Sequence, residues 1–431
     1  MANQSSEVVS PSPLTLHPSL RFKALPPLSL YIHIPWCVRK CPYCDFNSHQ
    51  AREPVPEARY VDALIADLES ALPLVWGREV YSVFFGGGTP SMFSAAGIER
   101  IIAAARARVP LAIDAEITLE SNPGTFEVEK FRAFRAAGVN RLSIGIQSFN
   151  PRHLKTLGRI HDANEARAAI EIAGRNFDNV NLDIMYGLPG QSVAEALADV
   201  ECAIAFSPQH ISAYNLTIEP NTYFHRYPPA LPDDDVTARM QEAIEQSLAA
   251  ARYEHYETSA FAKRDNCAPA SGGEGILPFT LHPSPFAAFC RHNLNYWTFG
   301  DYLGIGAGAH SKLSFSDRIA RQARYKPPKQ YMESAAAGNA IQEQHDVGAS
   351  EIGFEFMMNA LRLNGGFPVA LFEERAGVPL TAVSNQLERA EQKGLIVRDH
   401  QRIEPTALGR RFLNDLLLLF LHEGRRSERS R

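Results

Sequence analysis

The chain has 431 residues, enough for two or three domains around at least one large core. Hydrophobic residues make up 45% and charged residues 21%, the balance of a soluble globular protein, and a net charge of −5 argues against a general polyanion binder without excluding a local basic patch. Six cysteines are too sparse for a disulfide framework, and three of them fall within eight residues, which reads as metal ligands in a reducing compartment.

Residues 1–28 are rich in Ser and Pro and lack the basic start and apolar run of a secretory signal, so a disordered leader is expected. The longest apolar run, 416–421, falls far short of the roughly 20 residues of a membrane span, so a cytoplasmic protein without stable membrane insertion is expected. From residue 29 the pattern changes. Strand-like runs at 29–34, 79–85, 116–120, 141–146, 180–185 and 210–216 alternate with helical periodicity at 60–72, 98–109, 130–137, 164–173 and 193–205. This alternation predicts parallel βαβ units, at least five before residue 217, in an α/β domain over 29–266. Unusual or polar residues stand at the strand ends: Gly86-Gly87-Gly88-Thr89-Pro90, then Glu120, Gln147 and Asp183. In a parallel barrel that C-terminal rim is where a site forms.

Residues 267–289 are rich in Gly, Pro and Ala and predict a flexible insertion; the string at 280–284 repeats the one at 15–19, for which there is no physical account. A connecting segment follows over 290–347. From 348 to 431 helices are expected at 351–363, 368–375, 381–393 and 405–421, with a short hairpin from 394–397 and 401–403. Helices with a two-stranded wing suggest a winged-helix-like domain. Such domains often bind DNA, but Glu388, Arg389, Glu391 and Lys393 give helix 381–393 a mixed face that favours a structural or docking role without nucleic acid.

Cys37, Cys41 and Cys44 are spaced C-x3-C-x2-C. Thiolates so spaced can bind three irons of a cubane and leave the fourth open. Zinc with one further ligand is the rival, although no second C-x-x-C pair accompanies them; three packed, unligated cysteines are the remaining reading. The loop follows Tyr31-Ile32-His33-Ile34-Pro35-Trp36 and places Tyr43 before its last cysteine. It resembles the radical S-adenosylmethionine superfamily. That resemblance implies a partial parallel (β/α) barrel with a [4Fe–4S] cluster at its C-terminal rim. The open iron would chelate the amino and carboxylate groups of S-adenosylmethionine, and one-electron reduction would yield a 5′-deoxyadenosyl radical. Gly87, Gly88 and Thr89 match the superfamily's methionine-binding turn. Glu120, Gln147, Arg159 and Asp183, taken singly, are ordinary rim residues; in this order they resemble the coproporphyrinogen oxidase branch, whose corresponding positions contact one or two S-adenosylmethionine molecules. Tyr31 and Tyr43 match further contacts, and the resemblance spans 29–421.

Two kinds of relative compete within the branch. The oxygen-independent coproporphyrinogen III oxidases carry a fourth cysteine two residues after the third, where this chain has Phe46. The string over 33–49 is instead similar to the haem-chaperone type, as is His292-Asn293-Leu294-Asn295-Tyr296-Trp297, an H-N-x-x-Y-W motif linked there to haem binding. His292 is read two ways, as an axial ligand to haem iron or as a structural loop residue; Cys290 and His310 are weaker ligand candidates. The resemblance implies a haem chaperone, monomer or dimer, that passes haem to an unidentified acceptor protein without oxidase turnover. A coproporphyrinogen III oxidase is the alternative. The insertion at 267–289 departs from the family's pattern.

Overall fold

The computed structural model describes residues 20–124, 130–264 and 288–421; most of the expected leader and insertion, including both repeated strings, lie outside the described residues. Strand and helix alternate as β1 (Leu28–Ile34), α1 (Glu57–Val75), β2 (Val80–Gly87), α2 (Ala95–Arg108), β3 (Leu111–Ser121), α3 (Phe131–Ala136), β4 (Arg141–Gln147), α4 (Ala163–Asn176), β5 (Val180–Tyr186), α5 (Val193–Ala205) and β6 (His210–Asn215). Next come α6 (Asp234–Ala250), β7 (Tyr253–Glu257), β8 (Ala260–Lys263), α7 (Arg291–Trp297), β9 (Asp301–Ile305), β10 (His310–Ser314), β11 (Ile319–Arg324), α8 (Pro328–Ala336) and β12 (Ile341–Asp346).

These strands form one twelve-stranded sheet in the order β12-β11-β10-β9-β1-β2-β3-β4-β5-β6-β8-β7. From β9 to β6 all neighbours are parallel, and antiparallel strands extend both ends. β1 is buried at all but one of its seven positions, as a strand between two helix-covered faces must be. The expected parallel core is therefore present. The connecting segment is richer than expected: β9 joins β1 in parallel, and β10, β11 and β12 follow as antiparallel strands. Its strands bury Ser311, Lys312, Gln322 and Arg324. Buried polar residues break the apolar signature by which a strand is read from sequence.

One such buried pair fastens the sheet to its helices. Asp67 of α1 accepts from Arg324 Nε of β11 (3.3 Å), Tyr331 OH of α8 (2.9 Å) and the Gly306 amide (3.2 Å). A charge so deep in the structure is tolerated because it is paired and each Asp67 oxygen is hydrogen-bonded, although Arg324 Nη2 has no partner among the described residues.

The C-terminal region has its own apolar core, built around Phe356, Phe367, Phe372, Leu387 and Ile403. It comprises α9 (Ala349–Ala360), β13 (Phe367–Pro368), α10 (Val369–Ala376), α11 (Ser384–Gln392), β14 (Ile396–Arg398), β15 (Arg402–Pro405), α12 (Ala407–Arg411) and α13 (Leu413–Leu418). The expected hairpin is β14 paired with β15, and β13 adds a third strand. The single helix expected over 405–421 is two, broken at Phe412 where the backbone leaves helical geometry (φ −111°, ψ 43°). Among the described residues no helix is long and apolar enough to cross a membrane.

Candidate functional site

The C-terminal ends of β1 to β5 converge on a cavity of about 430 Å3. Cys37, Cys41 and Cys44 line it together with Tyr31, Tyr43, Gly87, Gly88, Thr89, Glu120, Gln147, Arg159, Asp183 and His292. The structure thus brings the three cysteines, the expected S-adenosylmethionine contacts and His292 to one place, while His310 and Cys290 lie outside this cavity's lining. A parallel sheet does this without special local structure, because each βα turn leaves the sheet on the same edge.

The thiols sit in a low-dielectric wall with a cation beside them. Burial pushes the Cys37 thiol up to about 11, against the opposing hydroxyl of Thr89. Cys44 Sγ lies 3.5 Å from Ser48 Oγ. Arg159 Nη1 points to Cys41 Sγ at 3.7 Å, while its Nη2 donates to Asn122 Oδ1 (2.5 Å) and the Gly145 carbonyl (2.6 Å). Asn122 in turn donates to Thr89 Oγ1 at 3.0 Å. A fixed guanidinium offsets the charge that three thiols acquire when they become ligands. Among the described residues no three His, Cys, Asp or Glu side chains are arranged to hold a metal ion. A cubane differs from one ion in spreading its thiolates over separate irons. The donor set of three thiols plus a cation fits that group.

The glycine turn is tight for a specific reason. Gly87 has φ +115°, and a Cβ there would stand 2.6 Å from His33 Cε1. His33 is buried, and burial holds its imidazole near 4, so it is neutral at pH 7. Its Nε2 donates to the Asn47 carbonyl (2.9 Å), which leaves Nδ1 to accept from Tyr31 OH (3.0 Å). A Cβ on Gly88 would meet the Trp36 carbonyl at 2.5 Å. Only glycine lets β2 end this close to the cysteine loop.

Two carboxylates face the cavity. Asp183 accepts from Asn181 Nδ2 (2.8 Å) and Ser143 Oγ (3.0 Å), and burial raises its carboxyl above the usual range. Among the described residues Glu120 has one bond, a long one from the Gly87 amide at 3.3 Å. Burial, then the nearby Asp183 charge, pushes it up to about 8. An under-satisfied carboxyl beside a hole of this size fits a ligand bearing an ammonium or hydroxyls.

A second cavity of about 660 Å3 adjoins the first; Tyr31, Phe46, Gly87, Glu120 and Tyr296 line both. Its own walls include Trp297, Tyr302, His310, Lys312, Arg321 and Lys326.

Comparison with known proteins agrees with this geometry. Residues 31–203 match the radical SAM superfamily model, and 349–412 match the HemN C-terminal domain. Over 93% of this chain and 99% of theirs, the heme chaperones HemW of Escherichia coli and Haemophilus influenzae are 47% and 46% identical to it. The chain belongs to the heme chaperone HemW family. The solved coproporphyrinogen III oxidase HemN of Escherichia coli, a radical SAM enzyme, shares the fold, with TM-score 0.74 over 92% of this chain and 90% of that one at 24% identity. Family membership accords with the haem-chaperone resemblance read from residues 33–49. Phe46 is 60% exposed, at the edge of both cavities.

His292, from the H-N-x-x-Y-W motif, is buried and engaged on both ring nitrogens: Nδ1 meets Ser82 Oγ and Nε2 meets Tyr296 OH, each at 2.9 Å. It lies within α7, not in a loop, and its partners are side chains. Cys290 is buried, 3.7 Å from Glu116 Oε1, away from the three-thiol loop. Sequence reasoning missed His33, Asn47 and Asn122. The first two lie inside the 33–49 string that carried the resemblance, and their hydrogen bonds explain why that string is more than its cysteines.

Proposed function

We propose that this protein is a cytoplasmic haem chaperone. It holds a [4Fe–4S] cluster on Cys37, Cys41 and Cys44 with S-adenosylmethionine alongside, binds haem and passes it to an acceptor protein. The observation that carries this is the pair of joined cavities: one lined by three thiols and strand-end polar groups, the other by aromatic and cationic side chains. Names of relatives 46–47% identical over nearly their whole length support the same function.

Each residue has a role in this proposal. When bound, the cluster supplies an open iron that chelates S-adenosylmethionine and can pass it one electron. Arg159 offsets thiolate charge at Cys41. Gly87 and Gly88 let backbone approach the methionine moiety, with Thr89 held by Asn122. Glu120, Gln147 and Asp183 would offer polar groups to the ligand's ammonium and hydroxyls, and Tyr31 and Tyr43 wall the site. The barrel is proposed for 29–266, with β9 of the connecting segment adding a parallel strand beside β1, and the helical domain for 348–431.

Anaerobic reconstitution should give about four irons and four sulfides per chain, and zinc without sulfide would overturn the cluster. Coproporphyrinogen with reductant and S-adenosylmethionine should yield no protoporphyrinogen. Turnover there would make the protein an oxidase.

A further inference from the structure

We propose that His310 ligates haem iron in the outer cavity, and that the motif residue His292 is a positioning residue for Tyr296. The proposal deepens the haem-chaperone reading and rests on it.

His292 is poorly placed to bind a metal. Ser82 Oγ donates to Ser29 Oγ (2.8 Å), so His292 Nδ1 donates to Ser82 and Nε2 accepts from Tyr296 OH. The neutral ring's one accessible lone pair is therefore in use. The imidazole also stacks on Phe84 with centroids 4.9 Å apart, and Tyr296 stands edge-on to it at 4.8 Å. An iron at Nε2 would have to break the tyrosine bond and part this sandwich. What His292 does achieve is to fix Tyr296. The Tyr296 ring is held on its other side by Tyr302, edge-on at 4.6 Å, and both tyrosines form the wall of the outer cavity.

His310 has the opposite properties. It begins β10, lines the outer cavity, is exposed, and its ring makes no hydrogen bond among the described residues. Partial burial, then the charges of Lys326 and Arg321, keep it below the usual histidine range, although Glu343 opposes them; the imidazole is neutral with a lone pair free. Its surroundings suit a flat, amphipathic ring bearing carboxylates. Tyr296, Trp297 and Tyr302 supply aromatic faces, and Phe46 stands at the edge. Lys312 is committed to Asp301 (2.9 Å), and Arg321 to Glu355 and Tyr302 OH. The exposed Lys326 side chain has no ion pair or hydrogen bond among the described residues, so it is the cation available to a propionate. The volume, about 660 Å3, lies within the usual range of roughly 300–1,000 Å3 for cofactor-sized sites.

The test uses the full chain with its cluster reconstituted, titrated anaerobically with ferric haem and read by Soret absorption, electron paramagnetic resonance and resonance Raman. Wild type should show an imidazole-ligated iron. His310→Ala should lose that signature and bind haem at least about tenfold more weakly, and added imidazole should restore the signature. His310→Met should replace it with a thioether signature. His292→Gln, whose amide offers one donor and one acceptor in place of the two ring nitrogens, should keep the wild-type signature. Cluster absorbance and melting temperature report folding of each variant. An imidazole signature surviving in His310→Ala, or lost in folded His292→Gln, would overturn the assignment while leaving the chaperone reading intact. A wild-type chain that takes up no haem would overturn both.

Discussion

Glu120→Gln is expected to stabilise the ligand-free protein while weakening its hold on S-adenosylmethionine. The Glu120 carboxyl sits at about 8 in the folded chain against an ordinary 4.5, chiefly through burial and then through Asp183. Between those values the unfolded chain releases a proton that the folded chain keeps. Folding stability is therefore fully present below pH 4.5 and declines as pH rises towards 8. At about 1.4 kcal/mol per pH unit, the decline by pH 7 has an upper bound of about 3 kcal/mol. Water entering the open cavity screens part of it, leaving roughly 1–2 kcal/mol. Glutamine has the same shape and no proton to lose. The variant should exceed wild type by that amount in urea denaturation at pH 7 and by less than about 1 kcal/mol at pH 5. Calorimetry should show weaker S-adenosylmethionine binding by the same variant. A variant no more stable than wild type at pH 7, or equally favoured at both pH values, would refute the reasoning.

Asp67→Asn leaves the buried Arg324 guanidinium without its counter-charge, and the denaturation midpoint should fall by the equivalent of about 3–5 kcal/mol; a loss under about 1 kcal/mol would show the pair to be dispensable. Gly87→Ala puts a Cβ into the His33 ring at a positive φ, so a stability loss of about 1–3 kcal/mol should accompany loss of S-adenosylmethionine binding, with normal ligand affinity counting against the close-approach account. Asn47→Ala removes donors to the Ala307 and Lys326 carbonyls, and hydrogen exchange should quicken both in the cysteine loop and around residue 307, not in one alone.

The parallel core was legible because its strands are nearly all apolar and its helices carry their apolar residues at i, i+3 and i+4. Even in α1, however, Asp67 points inward, and nothing local to the helix predicts that its partners are Arg324 and Tyr331, more than 250 residues away. The same non-locality hid β9 to β12: Lys312 and Arg324 look solvated in sequence but are buried because Asp301 and Asp67 meet them. The cavity was legible as a set of residues because strand ends share one rim. Its second half was not, since His310 and Lys326 belong to an antiparallel strand and a turn, where the βα rule does not apply, and Tyr302 lies on β9, a strand the sequence did not reveal.

The joined cavities give the cysteine loop a part in both ligand sites. Asn47 donates to the carbonyls of Ala307 and Lys326 and accepts from His33, which in turn accepts from Tyr31. Residues 45–47 are thereby stapled between the inner cavity and the turn that leads to His310. Two ligands, one in each cavity, would touch the same Tyr31, Phe46, Glu120 and Tyr296 side chains. If binding of one ligand rearranges those groups and so changes the affinity for the other, the second ligand changes the affinity for the first by the same factor, since binding linkage is reciprocal. Under the proposed function, occupancy of the S-adenosylmethionine site would then tighten or loosen haem without redox chemistry on the haem itself. A chaperone needs this linkage, because it must hold its cargo firmly in one state and release it in another.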